Sequence, residues 1–248
     1  ICTGEKGVFR FTLTTEGAAS HASVPMLADN ALLKLAPLLE RLGAASPGWD
    51  MTAGPRVLLD ALGLDPADPA AALTVLAQRA PDFAPLVEAM MRVTLAPTMV
   101  SASEQMNVIP AHARLHVDCR VPPGMEEAAV VERVREVLGV DGYRLEFTEK
   151  VLGNESQPES PLFDALRGWV ERSDPGARCL PTISTGYTDS VTFRNAFPEC
   201  VAYGFFPARY MSLDLLSELV HGRDERIDVR DLGLAVDCYR AIVTELLG

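Results

Sequence analysis

The sequence predicts a mixed α/β fold in two parts. The first is a ferredoxin-like βαββαβ sandwich with one elaborated connection, and the second is a shorter α/β unit. Three observations carry this. Ala111 to Val121 alternates apolar and polar residues without a break. Strand-like and helix-like segments before residue 150 follow one another as β-α-β-β-α-β once a helical stretch at 47–97 is set aside. After a polar stretch at 149–161, helical and strand-like segments alternate again.

Val8 to Thr15 is β-branched and aromatic with rough alternation, which predicts a strand. Glu16 to Met26 is small and polar, so it is a loop. Asp29 or Asn30 caps the next helix, Leu32, Leu35, Leu39 and Leu42 mark its apolar face, and Gly43 ends it. Residues 47–97 are rich in Ala, Leu, Pro and Asp, with helical runs near 55–62, 69–79 and 82–93. Pro97 to Ser103 is a candidate strand. In the strand Ala111–Val121, Ala111, Ala113, Leu115, Val117 and Cys119 share one face. His112, Arg114, His116, Asp118 and Arg120 share the other. Pro122-Pro123-Gly124 turns the chain into a helix at 126–138, and Tyr143 to Thr148 closes the sandwich. Glu149 to Pro161 reads as a linker. Beyond it come helices at 162–172 and from 190, a Gly/Thr/Ser-rich segment at 182–190, a buried strand at Cys200–Phe205, and a last helix from Asp228 to Leu247.

Composition excludes several function classes. Apolar residues make up 48% and charged residues 23% of 248, which is globular rather than disordered. A net charge of −12 argues against a nucleic-acid partner, which needs clustered Lys and Arg. No apolar run approaches the ~20 residues of a membrane span. Five cysteines with no close pair suggest neither a zinc knuckle nor a disulfide framework, and reduced thiols suit a cytoplasmic protein. The chain opens on Ile1-Cys2-Thr3-Gly4 with no Met and no signal-like segment, and reads as if it begins in the middle of something.

There is no G-x-S-x-G elbow, no G-x-G-x-x-G, no phosphate-binding G-x-x-x-x-G-K and no C-x-x-C. His112 and His116 look like half of a zinc-protease pair. On a strand they stand ~13 Å apart, too far to share an ion. His221, in the polar turn Leu219–Glu225, is a candidate metal ligand, although a loop histidine is more often a surface residue. His21 lies among small residues in Ala18–Pro25 and by itself reads as a turn histidine. Thr185-Gly186-Tyr187-Thr188-Asp189-Ser190 is a hydroxyl-rich turn that either presents backbone N–H groups or simply caps a helix. A serine nucleophile at Ser190 has no elbow to support it.

Taken in order, Ser20-His21-Ala22-Ser23-x-Pro25 with Asn30-Ala31, Asn107-Val108-Ile109-Pro110, Asp118–Gly124, Gly186-x-Thr188-Asp189 and His221-Gly222-x-x-Glu225 form a specific set. The set resembles the M20 metallopeptidase family of aminoacylases, acetylornithine deacetylases, desuccinylases and carboxypeptidases. The resemblance implies a lid or dimerisation domain at 5–152, with its helical insertion at about 47–97. It implies the C-terminal part of an α/β zinc-hydrolase domain at 153–248, and a fragment lacking the N-terminal part of that domain. By the same resemblance, His221 is a metal ligand and His21 is the catalytic lid histidine that steadies the developing oxyanion, often in the partner's site. Asn107, Arg120, Gly186 and Thr188 contact the substrate, Arg120 through its carboxylate. The implied cofactor is zinc, two ions in the full-length enzyme, not retained by this chain alone. The implied substrate is an N-acyl amino acid or small peptide, and the implied assembly is a homodimer through the lid. The competing reading is a dimerisation or binding module without chemistry.

Overall fold

The computed structural model describes residues 1–212, 215–216, 219–220 and 222–248. In chain order its elements are β1 (Cys2–Glu5), β2 (Gly7–Val8), β3 (Phe11–Glu16), β4 (Ser20–His21), α1 (Ala31–Gly43), α2 (Ala53–Ala61), α3 (Pro69–Arg79), α4 (Ala84–Met90), β5 (Thr94–Ser101), β6 (Val108–Ile109), β7 (His112–Val121), α5 (Glu127–Leu138), β8 (Arg144–Phe147), α6 (Pro161–Ser173), β9 (Thr182–Ser184), α7 (Ser190–Ala196) and α8 (Val229–Leu247).

The predicted sandwich is present. The sheet runs β8–β3–β7–β5, antiparallel throughout, and β2 continues the pairing on β7. The alternation along β7 decides which face is covered. Ala113, Leu115, Val117 and Cys119 are buried with Phe11, Leu13, Leu35, Leu38, Val130, Val134 and Leu138 under α1 and α5. Each of the larger of these side chains, Phe, Leu and Val, contributes roughly 1.5–3 kcal/mol by leaving water. Phe147 packs edge-on against Phe9 and Phe11, closing the β8 side. His112, Arg114, His116, Asp118 and Arg120 point to the other, open face.

Several boundaries move, each for a local reason. The first strand breaks at Phe9-Arg10, so β2 and β3 pair with different stretches of β7. β5 starts before Pro97, which a sheet edge with a register shift there can hold. In α1, Asn30 is the cap, accepting from the Leu32 N–H at 3.0 Å. The buried face is Ala31, Leu35, Leu38 and Leu42, whereas Leu32, Leu33 and Leu39 stay exposed. Cys200–Phe205 is not a buried strand: only Gly204 forms a bridge, to Cys2, and its neighbours are half-buried or exposed.

The insertion builds a core of its own from Leu58, Leu59, Leu76, Val87, Met90 and Met91, completed by Ile183 of β9. Arg133 of α5 grips Asp50 with the Nε/Nη2 edge of its guanidinium, the shortest contact being 2.6 Å. The stretch read as a linker is hydrogen-bonded to the first residues of the chain. Val8 and Val151 exchange two bonds of 2.8 Å, the Glu5 N–H reaches Asn154 O at 3.0 Å, and the Ser156 N–H reaches Thr3 O at 2.9 Å. β1 lies parallel to β9, which joins the start of the chain to the second part. There α6 and α8 pack through Ala165, Leu166, Trp169, Cys238 and Ile242. No helix among the described residues is long and apolar enough to cross a membrane.

Candidate functional site

His21 and Asn107 come together although 86 positions separate them. β4 and β6 form a two-stranded ribbon in which His21 faces Val108, and the Ala22 N–H bonds to Asn107 O at 2.9 Å. The His21 Nδ1 accepts the Ser23 backbone N–H at 3.2 Å and lies 2.7 Å from Ser23 Oγ. A backbone N–H can only donate, so a neutral His21 carries its proton on Nε2, aimed outward as a donor. Met26, Leu27 and Met106 stand exposed beside this ribbon.

Arg120 sits at the other end of β7. Its Nε donates to Asp118 Oδ1 at 2.6 Å and its Nη2 to Oδ2 at 3.3 Å. That uses the side edge of the guanidinium and leaves the Nη1 end of the fork open. Arg10 also binds Asp118, at 2.8 Å. Burial works to raise the Asp118 carboxyl, and the hydrogen bonds from Arg120 and Arg10 outweigh it, holding it below its usual range. From His112 to Arg120 the strand advances eight residues, about 26 Å. The His21–Asn107 ribbon joins β7 at the His112 end, so the structure does not bring His21 and Arg120 together.

Gly186 and Thr188 lie in the loop between β9 and α7. The Gly186 N–H bonds to Ser184 Oγ at 3.1 Å. Thr188 gives both its N–H, at 2.6 Å, and its hydroxyl to the carboxylate of Glu5, which is almost wholly buried. Sequence reasoning passed over Glu5. The available signal is a charged pair, Glu5-Lys6, enclosed by Gly4 and Gly7 in an otherwise apolar stretch. On the other flank, Arg194 of α7 is buried and bonded to Asn154, Ser156 and Ala202. His221 lies outside the described residues.

His112 and His116 are on the strand, as expected, and the His116 Nδ1 is 3.0 Å from Thr12 Oγ1. Among the described residues no three His, Cys, Asp or Glu side chains converge to hold a metal ion. A catalytic zinc takes three protein ligands, so the described donors do not fit a metal centre on their own.

The antiparallel lid sheet with its bracing helices belongs to a known peptidase module. Residues 3–145 match the family model described as the peptidase dimerisation domain. The chain belongs to the M20 metallopeptidase family. It is 25% identical over 248 residues to the probable carboxypeptidase S-like 2 of Dictyostelium discoideum, covering 96% of this chain and 47% of that protein. It is 29% identical over 150 residues to the N-fatty-acyl-amino acid synthase/hydrolase PM20D1 of Homo sapiens, covering 59% of this chain and 29% of that one. Among solved structures, the M20 family metallo-carboxypeptidase Sso-CP2 of Sulfolobus solfataricus superposes with a TM-score of 0.64 at 15% identity. The match covers 98% of this chain and 59% of that one. The chain thus spans about half the length of the carboxypeptidase-like relative. Metallopeptidase relatives imply a metal cofactor.

Proposed function

We propose that this chain supplies the lid, residues 5–152, and the C-terminal part of the catalytic unit, residues 153–248, of a zinc-dependent amidohydrolase. The enzyme cleaves the amide bond of N-acyl amino acids or small peptides and acts as a homodimer. One observation carries the reading: Arg120 sits at one end of β7, and the ribbon that holds His21 and Asn107 joins the chain at the other end, His112, about 26 Å along the strand from Arg120. Both ends suit one small substrate only if the two come from different copies. The exposed Met26, Leu27 and Met106 around His21 are apolar surface of the kind that docks against a partner.

In this reading the outward Nε2–H of His21 donates to the oxyanion that develops on the scissile carbonyl. Such a donor, held in place before reaction, acts where charge appears. The open end of the Arg120 fork takes the substrate carboxylate while Asp118 fixes its orientation. Gly186 and Thr188 contact the substrate from a loop that Glu5 anchors. His221 is the one metal ligand contributed here. The supporting relatives are the carboxypeptidase-like protein and the N-fatty-acyl-amino acid enzyme. Five free thiols suit a cytoplasmic setting.

Two measurements test this. In a catalytically complete form, Arg120→Lys keeps the charge and loses the planar fork. We expect it to weaken substrates with a free carboxylate at least about tenfold more than amidated ones, a loss of about 1.4 kcal/mol. Equal losses on both would remove Arg120 from the carboxylate site. Residues 1–248 alone are expected to hold well under one zinc per chain by elemental analysis and to turn over no N-acyl amino acid, because one imidazole cannot retain the ion. Near-stoichiometric zinc with chelator-sensitive turnover would overturn that. The alternative, a module without chemistry, predicts no activity in any longer form.

A further inference from the structure

Lys6 is the odd residue of the fold. It lies between β1 and β2, fully buried, and no carboxylate touches its amine among the described residues. Its Nζ instead donates to Ala89 O at 2.8 Å, to Arg92 O at 2.6 Å, and to Thr94 Oγ1 at 3.4 Å. Those acceptors are the end of α4, the last helix of the insertion, and the start of β5. Its backbone N–H bonds to Ser184 O of β9 at 3.0 Å. A single residue therefore ties the insertion, the lid sheet and the second part of the chain.

The geometry accommodates both protonation states. An ammonium has three protons for three acceptors. A neutral amine has two, which the carbonyls take, and the Thr94 hydroxyl can turn to donate to its lone pair. The two states differ in cost. Burying an ammonium with no counter-charge in contact is unfavourable, whereas burying the amine is not. The charged and titratable groups facing it are Cys119 and Arg120 from β7 and Asp50 from the segment entering α2. Arg92 is turned away, over Trp49 and onto Glu88. The buried Cys119 thiol is pushed up to about 12 by desolvation, so it stays neutral and offers no balancing charge.

We propose that Lys6 is a proton-sensitive pin: charging its amine loosens the attachment of the insertion to this junction, and discharging it tightens that attachment. Desolvation brings the buried group down to about 7, against 10.5 for a lysine in water. Between those values an opened junction binds more protons than the closed one, so rising pH favours the closed form. Below about 7 both forms are charged and the attachment is at its weakest.

The chain has only three lysines, Lys6, Lys34 and Lys150. Carbon-13 labelling of lysine gives three side-chain resonances to follow from pH 5 to 11. One of them, that of Lys6, is expected to titrate near neutral pH. Lys34→Arg and Lys150→Arg, both at exposed sites, identify the third even if Lys6→Met does not fold. Amide exchange over residues 84–94, corrected for intrinsic rates, is then read between pH 6 and 9. Protection should rise about ten- to a hundredfold, and that rise should vanish in Lys6→Met. Thr94→Val, which strands the third ammonium proton, should move the midpoint to lower pH. A Lys6 resonance titrating near 10, or protection that is flat in the parent chain, would overturn the proposal.

Discussion

Mixing a His21→Ala protein with an Arg120→Ala protein should restore about a quarter of wild-type activity. That is the statistical share of intact sites when subunits of a two-fold dimer exchange freely. Each variant alone should lose about 10²–10³ in kcat/KM in a form carrying a complete metal centre, the scale of one lost oxyanion donor or one lost bidentate carboxylate contact. The recovery follows from the strand. β7 holds Arg120 at one end and meets the His21–Asn107 ribbon at the other, about 26 Å away. Suppose each site draws Arg120 from one copy and His21 from the other. A mixed dimer then has one site with both lesions and one with neither, and half of the exchanged dimers are mixed. If both residues serve the same copy's site, every site in the mixture keeps a lesion and nothing is recovered. Full activity in either variant alone would remove that residue from the chemistry.

Much of the lid was legible in the sequence because its elements are locally consistent. β7 alternates over its whole length, and one face of it is covered by helices, so the pattern and the burial agree. α3 spans the residues its composition suggested, with Asp68 capping and Pro69 in the first turn. α1 was harder because leucines occupy two of its stripes. Spacing alone could not say that Ala31 and Leu38, rather than Leu32 and Leu39, meet the sheet. β1 was invisible for a different reason. Thr3, Glu5 and Lys6 are polar and buried, and the groups that satisfy them lie far away in sequence, such as Arg92 for Lys6 and Thr188 for Glu5. Cys200–Phe205 failed in the opposite sense: its apolar residues look like a strand, but only Gly204 has a bridging partner. For the site, no local pattern links His21 to Asn107, and the ordered motifs of a known family made that connection. Glu5 belongs to no such motif and became visible only through its bonds to Thr188.

A single methyl group at Gly153 should unfold this chain more readily than any loss of an exposed ion pair. A Cβ there would fall 2.4 Å from Glu5 O, 2.4 Å from Gly7 N and 2.7 Å from the Lys6 carbonyl carbon. All three are backbone atoms, so no side chain can swing away to make room. The segments at 3–8 and 151–156 would have to separate, with loss of the Glu5–Asn154 and Val8–Val151 hydrogen bonds. Overpacking of this kind costs about 3 kcal/mol or more. Exposed pairs such as Arg135–Glu132 are worth well under about 1 kcal/mol. Gly233 is the internal control. It lies inside α8, in its second turn, and nothing stands within 4 Å of its would-be Cβ. Gly233→Ala should therefore stabilise the chain by roughly 0.5–1 kcal/mol through helix propensity alone. Chemical denaturation of the two variants beside the parent chain gives the comparison. Gly153→Ala should lower the midpoint sharply and Gly233→Ala should raise it. A Gly153→Ala protein as stable as the parent would mean that the segments at 3–8 and 151–156 do not approach this closely.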